Sequence, residues 1–234
     1  MKAIFKKELK AYFLSPIGYI FVGVFMALCA LFFLNSAIAY QIADISGMFA
    51  NINVVYLFLV SILTMRLFAE ERNKKTDQLL LTAPVSIPEI VLGKYFAAMA
   101  VFGLTLVVSL GFPAVLFMFG EPSFGEILGS YTGVVLLWGA FIAIGVLISA
   151  LTESQMIAAV STFGVLLLIY YMDGIVANIG TVWIAKLLDW LSLFKRYNEF
   201  QSGILNIENV VYYLSFIFIA LFLTVRTIEK RRYS

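Results

Sequence analysis

Six long runs of apolar residues, separated by short polar breaks, set the organisation of the chain. They cover about 17–40, 52–68, 90–119, 126–151, 156–171 and 207–225. A helix rises 1.5 Å per residue, so about 20 apolar residues match a hydrocarbon core of roughly 30 Å. In lipid every backbone amide and carbonyl needs an internal partner, which leaves helices as the natural form for such runs. The pattern therefore predicts an all-α, polytopic membrane protein with six transmembrane helices, a single transmembrane domain over 1–234. Residues 1–15 differ: Phe5, Leu9, Tyr12 and Phe13 share one helical face while Lys6, Lys7 and Lys10 point elsewhere. That is the pattern of an interfacial elbow helix lying in the headgroup layer. Ser15 and Pro16 end it, and Gly18 lets the chain turn upright into the first span.

The polar breaks are unequal. Gln41 to Asn51 reads as a short loop. The passage from Arg66 to Lys94 is long and carries both signs of charge in its first half, at Arg66, Glu70, Glu71, Arg72, Lys74, Lys75 and Asp77. Such a passage belongs at a water-facing surface. Its segment 69–89 closes with Ser86, Ile87, Pro88 and Glu89, a predicted capping box that opens the next helix. Pro113, with Gly111, predicts a kink in the third span. Thr152 to Gln155 is so short that the fourth and fifth spans must form a hairpin. Gly139 with Ala143, and Gly145 with Ser149, place small residues four apart, a spacing that permits close helix approach. Segment 173–206 is mixed, with Ile179, Val182, Trp183, Leu187 and Trp190 at helical spacing, and reads as an external interfacial segment.

Composition agrees and narrows the function. The chain is 62% hydrophobic and 13% charged, with a mean hydropathy of +0.99, more apolar surface than a water-soluble core can hide. A net charge of +2 with basic residues confined to segment ends points to membrane orientation and away from nucleic acid. Cys29 is the single cysteine and histidine is absent, which excludes an intrachain disulfide, zinc-protease signatures and His-based catalysis. No GxxxxGK[ST] run exists to cradle phosphate. Ionisable residues fall near span ends, leaving no obvious group for coupling to an ion gradient. With the N-terminus inside, thirteen Lys and Arg fall on one side and only Lys186, Lys195 and Arg196 on the other. The positive-inside rule then places both termini and the 66–94 passage in the cytoplasm.

Lys6 to Gly18 (KKELKAYFLSPIG), Met65 to Lys94 (MRLFAEERNKKTDQLLLTAPVSIPEIVLGK), Thr152 to Ala159 (TESQMIAA) and the basic tail together resemble the permease subunit of a type-two ABC exporter. The similarity is to its gliding-motility-associated and copper-enzyme maturation branches. The resemblance implies a bacterial inner-membrane subunit with a cytoplasmic coupling helix around Thr76 to Leu81. Arg66, Glu70, Glu71 and Arg72 would lie near the ATPase contact, with Lys74, Lys75, Thr76, Asp77, Gln78, Leu79, Leu80 and Leu81 completing the coupling site. Lys75 stands where such permeases often carry glycine, and Gln78 where an acidic residue is common. Implied partners are ABC ATP-binding subunits, which would hold ATP and Mg, a second permease copy or homologue, an extracytoplasmic accessory subunit and membrane lipid. No catalytic, cofactor or metal site is expected on this chain. The apolar spans favour a hydrophobic or amphipathic cargo. The alternative is a membrane scaffold that couples a cytoplasmic ATPase mechanically to an extracytoplasmic partner without forming a conduit.

Overall fold

The computed structural model describes residues 1–38, 45–76, 85–177 and 192–232. Among these residues all regular structure is helical: α1 (Lys2–Leu14), α2 (Pro16–Phe33) continuing as a π-helical turn (Leu34–Ile38), α3 (Ser46–Asn73), α4 (Ile87–Ser109), α5 (Gly111–Phe119), α6 (Phe124–Leu151), α7 (Gln155–Ala177), α8 (Leu193–Gln201) and α9 (Ile207–Arg232). Among the described residues six stretches are long and apolar enough to cross a membrane: Pro16–Ser36, Gly47–Asn73, Ile87–Met118, Phe124–Leu151, Gln155–Met172 and Ile207–Arg231. The protein is all-α and polytopic. The interfacial helix anticipated around Ile179 to Trp190 lies outside the described residues.

Helix α6 is the hub. Its most apolar window is 72% buried, against 17% for α7 and 28% for both α2 and α9, and it packs against α3, α4, α7, α8 and α9. The outer helices leave large apolar side chains exposed, among them Leu31, Val160, Leu168 and Phe218, as lipid-solvated surfaces should. Trp138 of α6 is wholly buried. It stacks on Tyr56 of α3, meets Phe25 of α2 edge-on at 5.3 Å and Phe102 of α4 at 4.7 Å. Its indole N–H donates to Asn53 Oδ1 at 3.3 Å, so the polar edge of the ring is satisfied inside the bundle.

The small residues of α6 serve contacts within the chain. A Cβ at Gly145 would collide with the Thr64 side chain of α3, so glycine lets the two helices touch. One turn on, Ser149 Oγ accepts from the amides of Phe68 (3.1 Å) and Ala69 (3.2 Å) and donates to the Met65 carbonyl (3.0 Å). A side chain of one helix thus enters the hydrogen-bond ladder of another, which fixes their register.

The third span is divided at Leu110, between α4 and α5. Proline has no amide to give the carbonyl four residues back, here that of Ser109. The Tyr131 hydroxyl of α6 takes that place, donating to Ser109 O at 2.9 Å.

Helix α3 starts at Ser46, where the sequence suggested a loop to Asn51. Ile45, Met48, Phe49 and Ile52 form a buried stripe, and Asn51 is accommodated by donating to Gly47 O at 2.7 Å. The same helix runs past Phe68 to Asn73. Arg66, Glu70, Glu71 and Arg72 therefore ride on its last two turns instead of sitting in a polar passage, because Leu67 and Ala69 remain buried and the charges find partners.

Replacing Gly145 with Leu should cost about 1–3 kcal/mol by overpacking the α3–α6 contact, read as a lower unfolding temperature in detergent. At Gly103 a Cβ meets no neighbour within 4 Å, and Gly103→Ala should not lower it.

Candidate functional site

The site forms where α1 lies across the charged ends of α3 and α4. Helix α4 starts at the N-cap Ser86 with Pro88 in its first turn. The capping box itself does not form. The Ser86 hydroxyl makes no cap bond, and the Glu89 carboxylate faces the Met1 ammonium at 3.7 Å. Close approach of α1 depends on Gly93, where a Cβ would stand 3.0 Å from the Ile4 side chain.

This crossing corrects the expected face of α1. The buried stripe is Ile4, Glu8 and Tyr12, one residue per turn, while Phe5, Leu9 and Phe13 are half-buried on its flank. Glu8 is carried inward to Lys94, which is wholly buried instead of facing water. Lys94 Nζ lies 2.9 Å from Glu8 Oε1 and 2.8 Å from Glu71 Oε2, and donates to the Leu67 carbonyl. The contact to Glu71 Oε2 is an ion pair. The Phe68 ring, 5.0 Å from the ammonium, closes the remaining side. Lys7 Nζ holds the other Glu71 oxygen at 2.7 Å and approaches Glu8 at 3.8 Å. Two carboxylates and two ammoniums thus alternate across three helices with no net charge.

Around this core the other charges of α3 act as straps. Arg66 pairs with Glu70 at 3.2 Å, donates to Ser15 Oγ at 2.8 Å and lies over the Tyr12 ring at 5.4 Å. Ser15, the N-cap of α2, leaves its own cap bond unmade. The Tyr12 hydroxyl donates to Leu63 O at 2.7 Å, and burial raises its pKa far above the usual phenol value. It remains a neutral donor. Arg72 reaches the α6–α7 turn, pairing with Glu153 and donating to Leu151 O. Lys74 binds Glu70 at 2.8 Å. Partial burial pulls the Lys7 pKa down, but the hydrogen bond and charge of Glu71, with Glu8 and Glu70, outweigh it and raise the value above that of a free lysine.

Helix α3 ends in a turn that the sequence makes unexpected. Lys75 has φ 55°, the left-handed region that glycine enters most easily. Its amide bonds Arg72 O at 3.1 Å and that of Thr76 bonds Glu71 O at 2.9 Å, the paired bonds of a Schellman cap. The turn is therefore kept although lysine occupies the glycine position. Of the twelve residues singled out from the sequence, Arg66, Glu70, Glu71, Arg72, Lys74, Lys75 and Thr76 come together at this helix end. Asp77, Gln78, Leu79, Leu80 and Leu81 lie outside the described residues. From the sequence Glu8 and Glu153 draw no role, Lys94 reads as the water-facing end of the cytoplasmic passage, and Ser149 only as a small residue at a close helix approach. A lysine seven residues into an apolar helix was itself a signal, since a buried ammonium demands acid from elsewhere in the chain.

Lys94→Met should destabilise by about 3–5 kcal/mol, because it strands buried carboxylates. Adding Glu8→Leu should recover part of that loss, giving a non-additive cycle in detergent unfolding. Lys75→Gly should stabilise by about 1 kcal/mol by relieving the left-handed backbone, seen as a raised unfolding temperature.

No curated relative matches the chain. A family model, ABC-2 family transporter protein, matches residues 3–228, from the second residue of α1 to near the end of α9. It takes in the elbow crossing, the α3 terminus, five candidate spans whole and the sixth as far as residue 228. The chain belongs to the ABC-2 transporter family and is a multi-pass membrane permease subunit of an ABC transporter, a family that partners with ABC ATP-binding subunits.

Proposed function

We propose that this permease belongs to an exporter of hydrophobic or amphipathic cargo in a bacterial inner membrane, with both termini and the 69–89 segment cytoplasmic, and that ATP and Mg are bound and hydrolysed on a separate subunit. That subunit grips the chain at the end of α3 and the residues beyond it, from Arg66 to Leu81. The permease works with a second copy or a homologue.

The observation that carries this reading is α3. It is one unbroken helix from the buried Met48 and Phe49 to the charged turn at Lys75, locked to α6 through Ser149 and to α1 and α4 through Lys94. Packed cores shift as rigid bodies more readily than they deform. A push delivered just beyond Thr76 therefore reaches α1, α4 and α6 together, and through Arg72 and Glu153 the α6–α7 turn. The excess of basic residues on one side supports the cytoplasmic placement, and the exposed apolar surface of α2, α7 and α9 suits a lipid-soluble cargo or a second permease.

The test replaces Asp77 and Gln78 with tryptophan in the assembled transporter. Co-purification of the ATP-binding subunit should fall about tenfold or more, the scale of losing an interface anchor, while the unfolding temperature of the permease stays unchanged. An intact complex that still moves a fluorescent lipid in vesicles removes this segment from the coupling path.

A further inference from the structure

A second surface of α1 is unused by the ion network. Beside the buried stripe of Ile4, Glu8 and Tyr12, the helix exposes Lys2, Lys6 and Lys10, spaced four apart and so stacked along one edge. Among the described residues none of the three has an ion-pair partner, whereas Lys7, which lies toward α3, is taken by Glu71. Below this edge the N-terminal end of α1 and the outer face of α4 enclose an open groove of about 460 Å³, lined by Met1, Lys2, Phe5, Phe96, Met99 and Ala100. Its lining is apolar apart from the Lys2 rim. Glu89, the acidic group at this end of α4, is engaged by the Met1 ammonium and leaves the lysine edge positive.

We infer that the groove between α1 and α4 is a binding site for one acidic phospholipid, its phosphate held by Lys2 and Lys6 and an acyl chain laid against Phe5, Phe96 and Met99. Depth supports the assignment. The span Ile87–Met118 is 32 residues, about 48 Å when summed along its two helical pieces, α4 and α5, against a hydrocarbon core of roughly 30 Å. The first turns of α4 therefore reach headgroup level, and Phe96 to Ala100 lie at the top of the acyl layer. A cationic edge at headgroup height above an apolar slot at acyl height matches the two halves of an anionic lipid. A zwitterionic lipid offers the same chain without net charge, and free phosphate offers the charge without the chain. The site concerns a resident lipid and does not depend on what the transporter moves.

The experiment uses the full chain reconstituted in vesicles of phosphatidylglycerol and phosphatidylcholine, extracted in mild detergent and examined for retained lipid by native mass spectrometry. Phosphatidylglycerol should be retained in preference to phosphatidylcholine, and inorganic phosphate should not displace it. Lys2→Gln with Lys6→Gln should reduce that retention about tenfold or more. Ala100→Trp, which fills the slot and keeps every charge, should reduce it comparably, while Lys10→Gln, lying beyond the slot, should leave it unchanged. Equal retention of the two lipids, displacement by phosphate alone, or an equal loss in Lys10→Gln overturns the proposal. Circular dichroism and the unfolding temperature confirm that each variant is folded.

Discussion

One buried ammonium governs how the charged end of this bundle is built. Removing a lysine from water costs far more than a helix interface can offset unless anionic partners and hydrogen bonds replace the lost hydration. Lys94 obtains them from Glu8, Glu71 and the Leu67 carbonyl, and these belong to α1 and α3. The position of α1 follows: the helix must lie where Glu8 reaches the ammonium, and Gly93 removes the Cβ that would hold Ile4 away. Lys7 then balances the second oxygen of Glu71. Three buried or half-buried charges that would each be costly alone, together with the exposed Lys7, become a neutral joint among three helices.

The same economy appears deeper in the bundle. The carbonyls of Leu63, Met65 and Leu67 each accept from a side chain of another helix, Tyr12, Ser149 and Lys94 respectively. Helix α3 is thus cross-bonded along alternate residues to α1, α6 and α4. Such bonds are directional and specify register, whereas the apolar contacts around Trp138 supply area with little preference for a particular offset. In a bilayer, where apolar surface can be left to lipid, directional contacts and close packing of small residues carry more of the specificity.

Much of the architecture was legible in the sequence because its cause is local. The hydrocarbon thickness demands apolar runs of a certain length, and the six runs are there. Pro16 and Pro113 act through a missing amide, an effect visible without knowing the fold, and the chain breaks near both. The features that escaped depend on distant partners. The face that α1 buries could not be inferred from its apolar residues, because an acid, Glu8, is what the interior required. The charges from Arg66 to Arg72 looked like a solvated passage since, apart from the local pairs of Glu70 with Arg66 and Lys74, their partners lie at Lys7, Ser15, Lys94 and Glu153, far away in the sequence. Ser86 and Glu89 had the spacing of a capping box, but Glu89 found the Met1 ammonium instead. Lys75 is the opposite case: a residue poorly suited to a left-handed turn adopts it, since the cap bonds at Arg72 and Glu71 favour that geometry.

The division of the third span at Leu110 bears on how its two halves can move. Bending an intact helix stretches backbone bonds on its convex side. Here the Ser109 carbonyl has no amide to lose, and its substitute, the Tyr131 phenol, sits at the end of a side chain that can pivot to follow it. The half that carries Lys94 can therefore swing with the charged joint while α5 stays put, and a tilt at one membrane face need not be copied at the other.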